Sequence, residues 1–139
     1  MINESRIQEK IYYIKQNLGK LRELRNLSRE EFLNDYRNYD TAKYNLQSAI
    51  EAVIDISNHI ISRNNYRVPN SNADTFRVLN EEGILPNDKL TSYISMAKFR
   101  NKVVHLYEKI DEEEIYKILK GNLVDFEEFI EIIVQGFLS

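Results

Sequence analysis

"FLNDYRNYDTAKYNLQSAIEAVIDISNHII" spans residues 32–61 and contains neither glycine nor proline. Its apolar residues recur every three or four positions, which is typical of a helix with one buried face. They are Phe32, Tyr36, Tyr39, Ala42, Leu46, Ala49, Ile50, Val53, Ile54, Ile60 and Ile61. The stretch predicts an unbroken helix of roughly 50 Å, longer than one small core is wide. Such a helix either bends or extends to meet a partner, and the pattern favours a dimer.

The segment before this stretch predicts a first helix that ends near Asn26. Its apolar stripe consists of Ile7, Ile11, Ile14, Leu18, Leu21 and Leu24. Ser28 is followed three residues later by Glu31, which is the capping-box pattern of a helix start. We therefore expect the second helix to begin at Ser28 and to continue through residues 32–61.

Three more helices are predicted after a polar loop over residues 62–74. Asn72 or Asp74 can cap the third helix, which Gly83 ends. Asn87 can cap the fourth, whose predicted apolar face is Leu90, Ile94, Ala97 and Val104. Asp111 can cap the fifth, with the apolar residues Ile115, Leu119, Phe126, Phe129, Ile130, Ile133 and Phe137. With only four glycines and two prolines in the chain, the pattern predicts an all-α, up-and-down bundle of about five helices.

Composition limits the classes of function that are open to this chain. Its 139 residues, 42% of them hydrophobic, predict one domain over residues 1–139. No cysteine is present, which excludes disulfides and thiolate chemistry. No apolar run is long enough to span a membrane and the amino terminus lacks a secretory pattern, so we expect a soluble, cytoplasmic protein. A net charge of −3 and a pI near 5.5 imply that any contact with nucleic acid is local.

One polar cluster stands out in "RNKVVHLY", residues 100–107. If the fourth helix continues through this segment, Arg100, Asn101, His105 and Tyr107 share one broad arc of its surface. Asn101 and His105 then form an i,i+4 pair, in which the amide can orient the imidazole. A plainer interpretation is also open, because histidine is favoured at a helix carboxyl end, arginine forms surface ion pairs and tyrosine packs.

The other histidine, His59, lies one turn after Asp55, and the two could share a metal ion. No third ligand has a convincing spacing, so a histidine that is satisfied by a hydrogen bond is the favoured interpretation. The acidic run "DEEE" at 111–114 could attract a hard cation, but carboxylates in a first helical turn are what the helix dipole favours. We therefore expect no metal site.

A cluster of aromatic residues could form a base-stacking platform. Phe32, Tyr36 and Tyr39 would lie on one helix face, with Arg37 and Lys43 nearby. Packing in the core or at an interface is the favoured alternative. The sequence contains no glycine-rich phosphate loop, G-x-S-x-G elbow or H-E-x-x-H pattern.

The R-x-x-x-x-H-x-Y pattern of residues 100–107 resembles the motif of the HepT-like toxins, a branch of the HEPN superfamily of small all-α ribonucleases. The segments "IEAVIDISNHII", "FRVLNEEGIL" and "MAKFRNKVVHLYEKID" also resemble this family in order and spacing, over roughly residues 40 to 130. The resemblance implies a HEPN-like bundle that dimerises, so that two motif-bearing helices face each other across a cleft and cut RNA without a metal or another cofactor.

The residue types suit that chemistry. Cleavage by the ribose 2′-hydroxyl needs a base, an acid and positive charge against the phosphorane. His105, with an ordinary pKa of ~6.5, suits proton transfer, while Arg100 suits bidentate phosphate contact and Asn101 would orient one of them. A twofold dimer would bring a second His105 to the same phosphate, which makes a homodimer part of the expected mechanism.

The resemblance also implies regulation by a partner. HepT-like toxins are typically found beside a MntA-like nucleotidyltransferase antitoxin, which transfers AMP to the motif tyrosine, here Tyr107, in a type VII-like toxin–antitoxin pair. An added phosphate would compete with RNA for Arg100. The alternative is a non-catalytic helical module whose cleft binds a nucleotide or docks the nucleotidyltransferase.

Overall fold

The computed structural model describes residues 1–105 and 109–138. Over these residues the chain is helical, without β-strands, which confirms the predicted all-α class. The helices are α1 (Glu4–Arg25), α2 (Arg29–Leu33), α3 (Tyr36–Arg63), α4 (Asn72–Glu81), α5 (Leu90–Val104), α6 (Glu112–Gly121) and α7 (Leu123–Phe137), with a 3-10 turn at Asn87–Lys89. In this part of the chain, none of the helices has the length and apolar character needed to cross a bilayer.

Helix α3 is the central element and contacts each of the other six helices found in the described residues. Its buried apolar side chains extend along almost its whole length and include Ala42, Leu46, Ala49, Ile50, Val53, Ile56 and Ile60. At about 1.5 Å per residue, its 28 residues span about 42 Å. The long apolar pattern in the sequence therefore reflects a helix that is surrounded by its own bundle.

The predicted unbroken second helix is wrong in one respect, because it is divided at Asn34 and Asp35. Asn34 ends α2, and the side chain of Asp35 accepts a hydrogen bond from the backbone N–H of Arg37 at 3.0 Å, which caps α3. Aspartate competes well for the free amides of a helix start, so the apolar period can continue across a true break. The capping box of Ser28 and Glu31 at the start of α2 is confirmed.

Two predicted caps are also wrong. Ser71, rather than Asn72 or Asp74, caps α4, and its hydroxyl accepts a hydrogen bond from the backbone N–H of Asp74 at 3.0 Å. Asn87 begins the 3-10 turn instead of capping α5, and its side chain accepts a hydrogen bond from Asn80 at 2.8 Å. The predicted stop at Gly83 is confirmed, since its φ of 75° suits glycine and α4 has ended just before it.

The predicted fifth helix is two helices, α6 and α7, which are separated at Asn122. Its cap is confirmed, because the side chain of Asp111 accepts a hydrogen bond from the backbone N–H of Glu113 at 3.0 Å. The apolar residues that were expected to face the core are buried from Ile115 to Ile133, while Phe137 is only partly buried. The two helices share one apolar pattern, which hides the boundary between them.

The buried face of α5 differs from the one predicted. Tyr93, Met96, Ala97 and Phe99 are buried, whereas Leu90 and Ile94 are only partly buried and Val104 is exposed. The hydroxyl of Tyr93 donates to the backbone oxygen of Asp125 at 3.1 Å, and burial raises the pKa of this phenol. This anchor fixes the orientation of α5 and leaves Arg100 at the edge of the buried face.

Candidate active site

Arg100 forms an ion pair with Glu51 of α3. Its Nε donates to Oε2 of Glu51 at 3.0 Å, and its Nη2 lies 2.9 Å from the same oxygen. The Arg100 side chain is 28% exposed and that of Glu51 is 37% exposed, so the guanidinium is held in place but reaches solvent. The expected surface ion pair is therefore present, and it leaves Arg100 accessible to a ligand.

Asn101 connects Arg100 to α4. Its Oδ1 accepts a hydrogen bond from Nδ2 of Asn72 at 3.1 Å and a longer one from Nη1 of Arg100 at 3.4 Å. The sequence left open whether Asn101 orients the arginine or the histidine, and its side-chain oxygen faces the arginine. Arg100, Asn101, Asn72 and Glu51 thus form one polar cluster, which we call the arginine cluster.

The loop before α4 is itself clamped, which fixes the position of Asn72. Arg67 donates to both carboxylate oxygens of Asp74, at 2.8 and 3.0 Å, and to both of Glu81, at 2.9 Å each. The hydrogen bonds that Asp74 accepts from Arg67 and from the backbone of Asn70 hold the pKa of Asp74 well below its usual range. Arg67, which precedes α4, therefore connects the first turn of this helix to its last turn.

His105 lies just beyond the end of α5. Its backbone N–H donates to the backbone oxygen of Asn101 at 3.2 Å, but its own backbone is extended, with φ −83° and ψ 113°. The predicted helical arc is therefore wrong beyond Val104. His105 is exposed, and it lies at the carboxyl end of α5.

The predicted Tyr107 site lies outside the described residues, as do its neighbours Leu106 and Glu108. The helical argument that placed Tyr107 on the same face as Arg100 does not hold, because α5 ends at Val104. The assignment of Tyr107 therefore rests on the motif.

An open groove of about 680 Å³ runs beside Glu51 between α1 and α3. The groove is lined by Arg6, Glu9, Lys10, Tyr13, Ser48, Glu51, Ala52 and Asp55. Within the groove Lys10 donates to Asp55 at 3.0 Å, one turn along α3 from Glu51. The two acidic residues therefore have separate cationic partners.

The other histidine has a structural role. Nε2 of His59 accepts a hydrogen bond from the backbone N–H of Asn3 at 3.0 Å, which confirms the interpretation of a satisfied histidine. Burial lowers the pKa of His59, and the positive charges of Arg63, Arg6 and the amino terminus lower it further. Within residues 1–105 and 109–138, no group of three potential ligands is placed to hold a metal ion.

The acidic run has the structural role that was favoured, whereas only Phe32 and Tyr39 of the three aromatic residues pack against the core. Glu113 and Glu114 form ion pairs with Arg29 and Lys102, respectively. In the aromatic cluster Phe32 is fully buried and contacts Tyr39 edge to face at 6.4 Å, whereas Tyr36 is 63% exposed. Arg37 and Lys43 pair with Asp35 and Asp40. These aromatic residues do not share one exposed face, so they form no stacking platform.

Sequence reasoning missed Glu51 as a member of the site. It lies 49 residues from Arg100 in the chain, so no local spacing connects them. One signal was present, because Glu51 is the one charged residue in the apolar run "AIEAVI" at residues 49–54. A charge in such a run marks either the solvated face of the helix or a paired group. Asn72 was noticed, but as a helix cap.

Comparison with known proteins shows which family the chain resembles. A family model described as ribonuclease HepT-like matches residues 14–133. The chain is 31% identical over 103 residues to an mRNA nuclease HepT of Shewanella oneidensis, covering 74% of this chain and 77% of that protein. It is 24% identical over 120 residues to a tRNA nuclease HepT of Aphanizomenon flos-aquae, covering 86% of this chain and 82% of that protein.

The fold is also similar to that of a solved structure. This is a tri-AMPylated HEPN toxin of Shewanella oneidensis in complex with an MNT antitoxin. The TM-score is 0.88 and the sequences are 28% identical, with 96% of this chain and 99% of that chain covered.

Proposed function

Because the chain belongs to the HepT-like ribonuclease family, as the motif predicts, we propose that it is a metal-independent endoribonuclease toxin of a toxin–antitoxin pair. We propose further that residues 1–139 act as one HEPN-like domain. The observation that carries the proposal is the arginine cluster beside the exposed His105. It provides a held, solvent-accessible guanidinium within five residues of a group that can transfer protons.

The proposed reaction is attack of a ribose 2′-hydroxyl on the adjacent phosphorus. A base removes the 2′ proton as the O2′–P bond forms, and an acid protonates O5′ as the P–O5′ bond breaks. The products are a 2′,3′-cyclic phosphate and a free 5′-hydroxyl. Arg100 stabilises the negative charge that develops on the phosphoryl oxygens, His105 transfers a proton, and Asn101 holds Arg100.

The need for both an acid and a base supports a homodimer. The chain contains two histidines, and His59 is engaged with the backbone of Asn3. A twofold axis near the end of α5 would bring a second His105 to the same phosphate. One His105 would then act as base and the other as acid.

The proposal includes silencing of the toxin by a MntA-like nucleotidyltransferase antitoxin, which transfers AMP from ATP to the Tyr107 hydroxyl and releases pyrophosphate. A solved relative with 28% identity is described as a tri-AMPylated toxin with an MNT antitoxin, which supports this regulation. The added phosphate would bring negative charge to the motif, seven residues from Arg100 in the chain, where it would disfavour the binding of RNA.

Cleavage of a labelled single-stranded RNA in the presence of excess EDTA tests the activity. We expect the wild-type protein to release fragments that end in a 2′,3′-cyclic phosphate, and His105→Ala to release none. His59→Gln is the matched control, because it replaces the other histidine by a residue that can still accept a hydrogen bond from Asn3. An inactive wild-type protein that still binds a nucleotidyltransferase would instead favour the non-catalytic module.

Mass spectrometry tests the modification. After incubation with ATP and the nucleotidyltransferase from a neighbouring reading frame, we expect AMP masses on the wild-type chain and none on Tyr107→Phe. The Tyr107→Phe variant should keep most of its RNA cleavage and resist inhibition. AMP on this variant would assign the modification to another residue.

A further inference from the structure

The ion pair between Glu51 and Arg100 uses one edge of the guanidinium. A guanidinium has five N–H donors in a fixed planar arrangement. Oε2 of Glu51 accepts a hydrogen bond from Nε at 3.0 Å and lies 2.9 Å from Nη2 in the ion pair. The edge formed by Nη1 and Nη2 is left for another ligand, since its contact to Asn101 is long, at 3.4 Å.

We propose that Glu51 is a positioning residue for RNA cleavage, which holds Arg100 so that its Nη1–Nη2 edge faces the scissile phosphate. Two parallel N–H donors on this edge match two phosphoryl oxygens. The inference rests on the proposed ribonuclease function. It assigns a role in the reaction to a residue of α3, which lies outside the motif in residues 100–107.

A purely structural role explains the pair less well. Helices α3 and α5 are already joined through the buried core, in which Ile50 and Phe99 both lie. An ion pair with side chains 28% and 37% exposed adds little to such an interface. Glu51 also places a negative charge close to a site for an anion, which is unfavourable for binding RNA unless the geometry that it imposes is useful.

The inference predicts different effects on kcat and KM. Without Glu51, Arg100 remains a nearby cation and still attracts RNA, but its donors are no longer aligned in the transition state. Glu51→Ala should therefore lower kcat about tenfold or more, with KM changed less than about threefold. Glu51→Gln keeps an oxygen acceptor and removes the charge, so it should restore most of kcat with an equal or lower KM.

The experiment measures initial rates of cleavage of the same labelled RNA over a range of concentrations, with thermal unfolding of each variant. Asp55→Ala is the matched control, because it removes an acidic residue one turn along the same helix and groove, where the partner is Lys10. We expect Asp55→Ala to retain the wild-type kcat and KM.

The outcomes separate this inference from the proposed function. Loss of kcat in Glu51→Ala, recovery in Glu51→Gln and wild-type rates in Asp55→Ala support it. Cleavage by Glu51→Ala at the wild-type or a higher rate would overturn the positioning role and leave the ribonuclease function standing. Equal losses of kcat in Glu51→Ala and Glu51→Gln would also overturn it, since geometry would not be the cause. Absence of cleavage by the wild-type protein would overturn both.

Discussion

Replacement of Arg100 by alanine should remove RNA cleavage while changing stability only slightly. The side chain is 28% exposed and its main partner Glu51 is 37% exposed, so the carboxylate stays hydrated when the arginine is lost. Ion pairs of this exposure contribute about 0.2–1 kcal/mol to the free energy of unfolding. We therefore expect a loss of about 1 kcal/mol, which lowers the Tm by about 4 °C in a domain of this size.

Two variants calibrate this prediction. Lys10→Ala removes a comparable ion pair to α3, with Asp55, and should cost a similar amount of stability without loss of cleavage. Phe129→Ala removes a fully buried ring and should cost about 3–5 kcal/mol. Urea unfolding followed by circular dichroism measures the free energy of unfolding, and the RNA assay measures the rate of cleavage. If Arg100→Ala destabilises as strongly as Phe129→Ala, or still cuts RNA at the wild-type rate, the proposed role of Arg100 is wrong.

Three other predictions concern assembly, pH and the start of α4. Light scattering at micromolar concentration should give about twice the chain mass of 16.5 kDa, and a strict monomer would contradict the two-histidine mechanism. Because folding lowers the pKa of His59, the contribution of this histidine to stability should be present above a pH of about 6.5 and lost as the pH falls through the lower folded pKa. The free energy of urea unfolding of His59→Gln should not fall over this pH range. An equal fall in the variant would exclude His59 as the cause. Ser71→Ala removes the cap of α4 and should cost about 1 kcal/mol, and unchanged urea unfolding would show that the cap contributes nothing.

The helical fold could be predicted from the sequence because its signal is local. Apolar spacing located the helical segments, and the cap at Asp111 and the stop at Gly83 follow from chemistry within a few residues. The breaks at Asp35 and Asn122 could not be located in this way, because the apolar period runs on through them. Whether a helix ends at such a residue depends on the tertiary contacts of the segments on either side.

The candidate site could likewise be predicted only in part. Arg100 and His105 are identified by their spacing, but their geometry depends on where α5 ends, and the sequence has no glycine or proline there. Glu51 reaches Arg100 from α3, and Asn72 reaches Asn101 from α4. Contacts between residues far apart in the chain follow from the packing of helices, which periodicity alone does not specify.

The acidic first turn of α6 affects how well the bundle tolerates a change in the length of the connection between α5 and α6. Glu113 pairs with Arg29 and Glu114 with Lys102, so the start of α6 has its own attachments to α2 and to the last turn of α5. Because these ion pairs do not depend on the connection between the two helices, they also hold the start of α6 when that connection is lengthened. We expect two glycines inserted after Lys109 to lower the Tm by no more than a few degrees, and a large loss would contradict this view. Insertions next to the proposed catalytic motif would then be tolerated by the bundle, so that this segment can vary in length without repacking of the core.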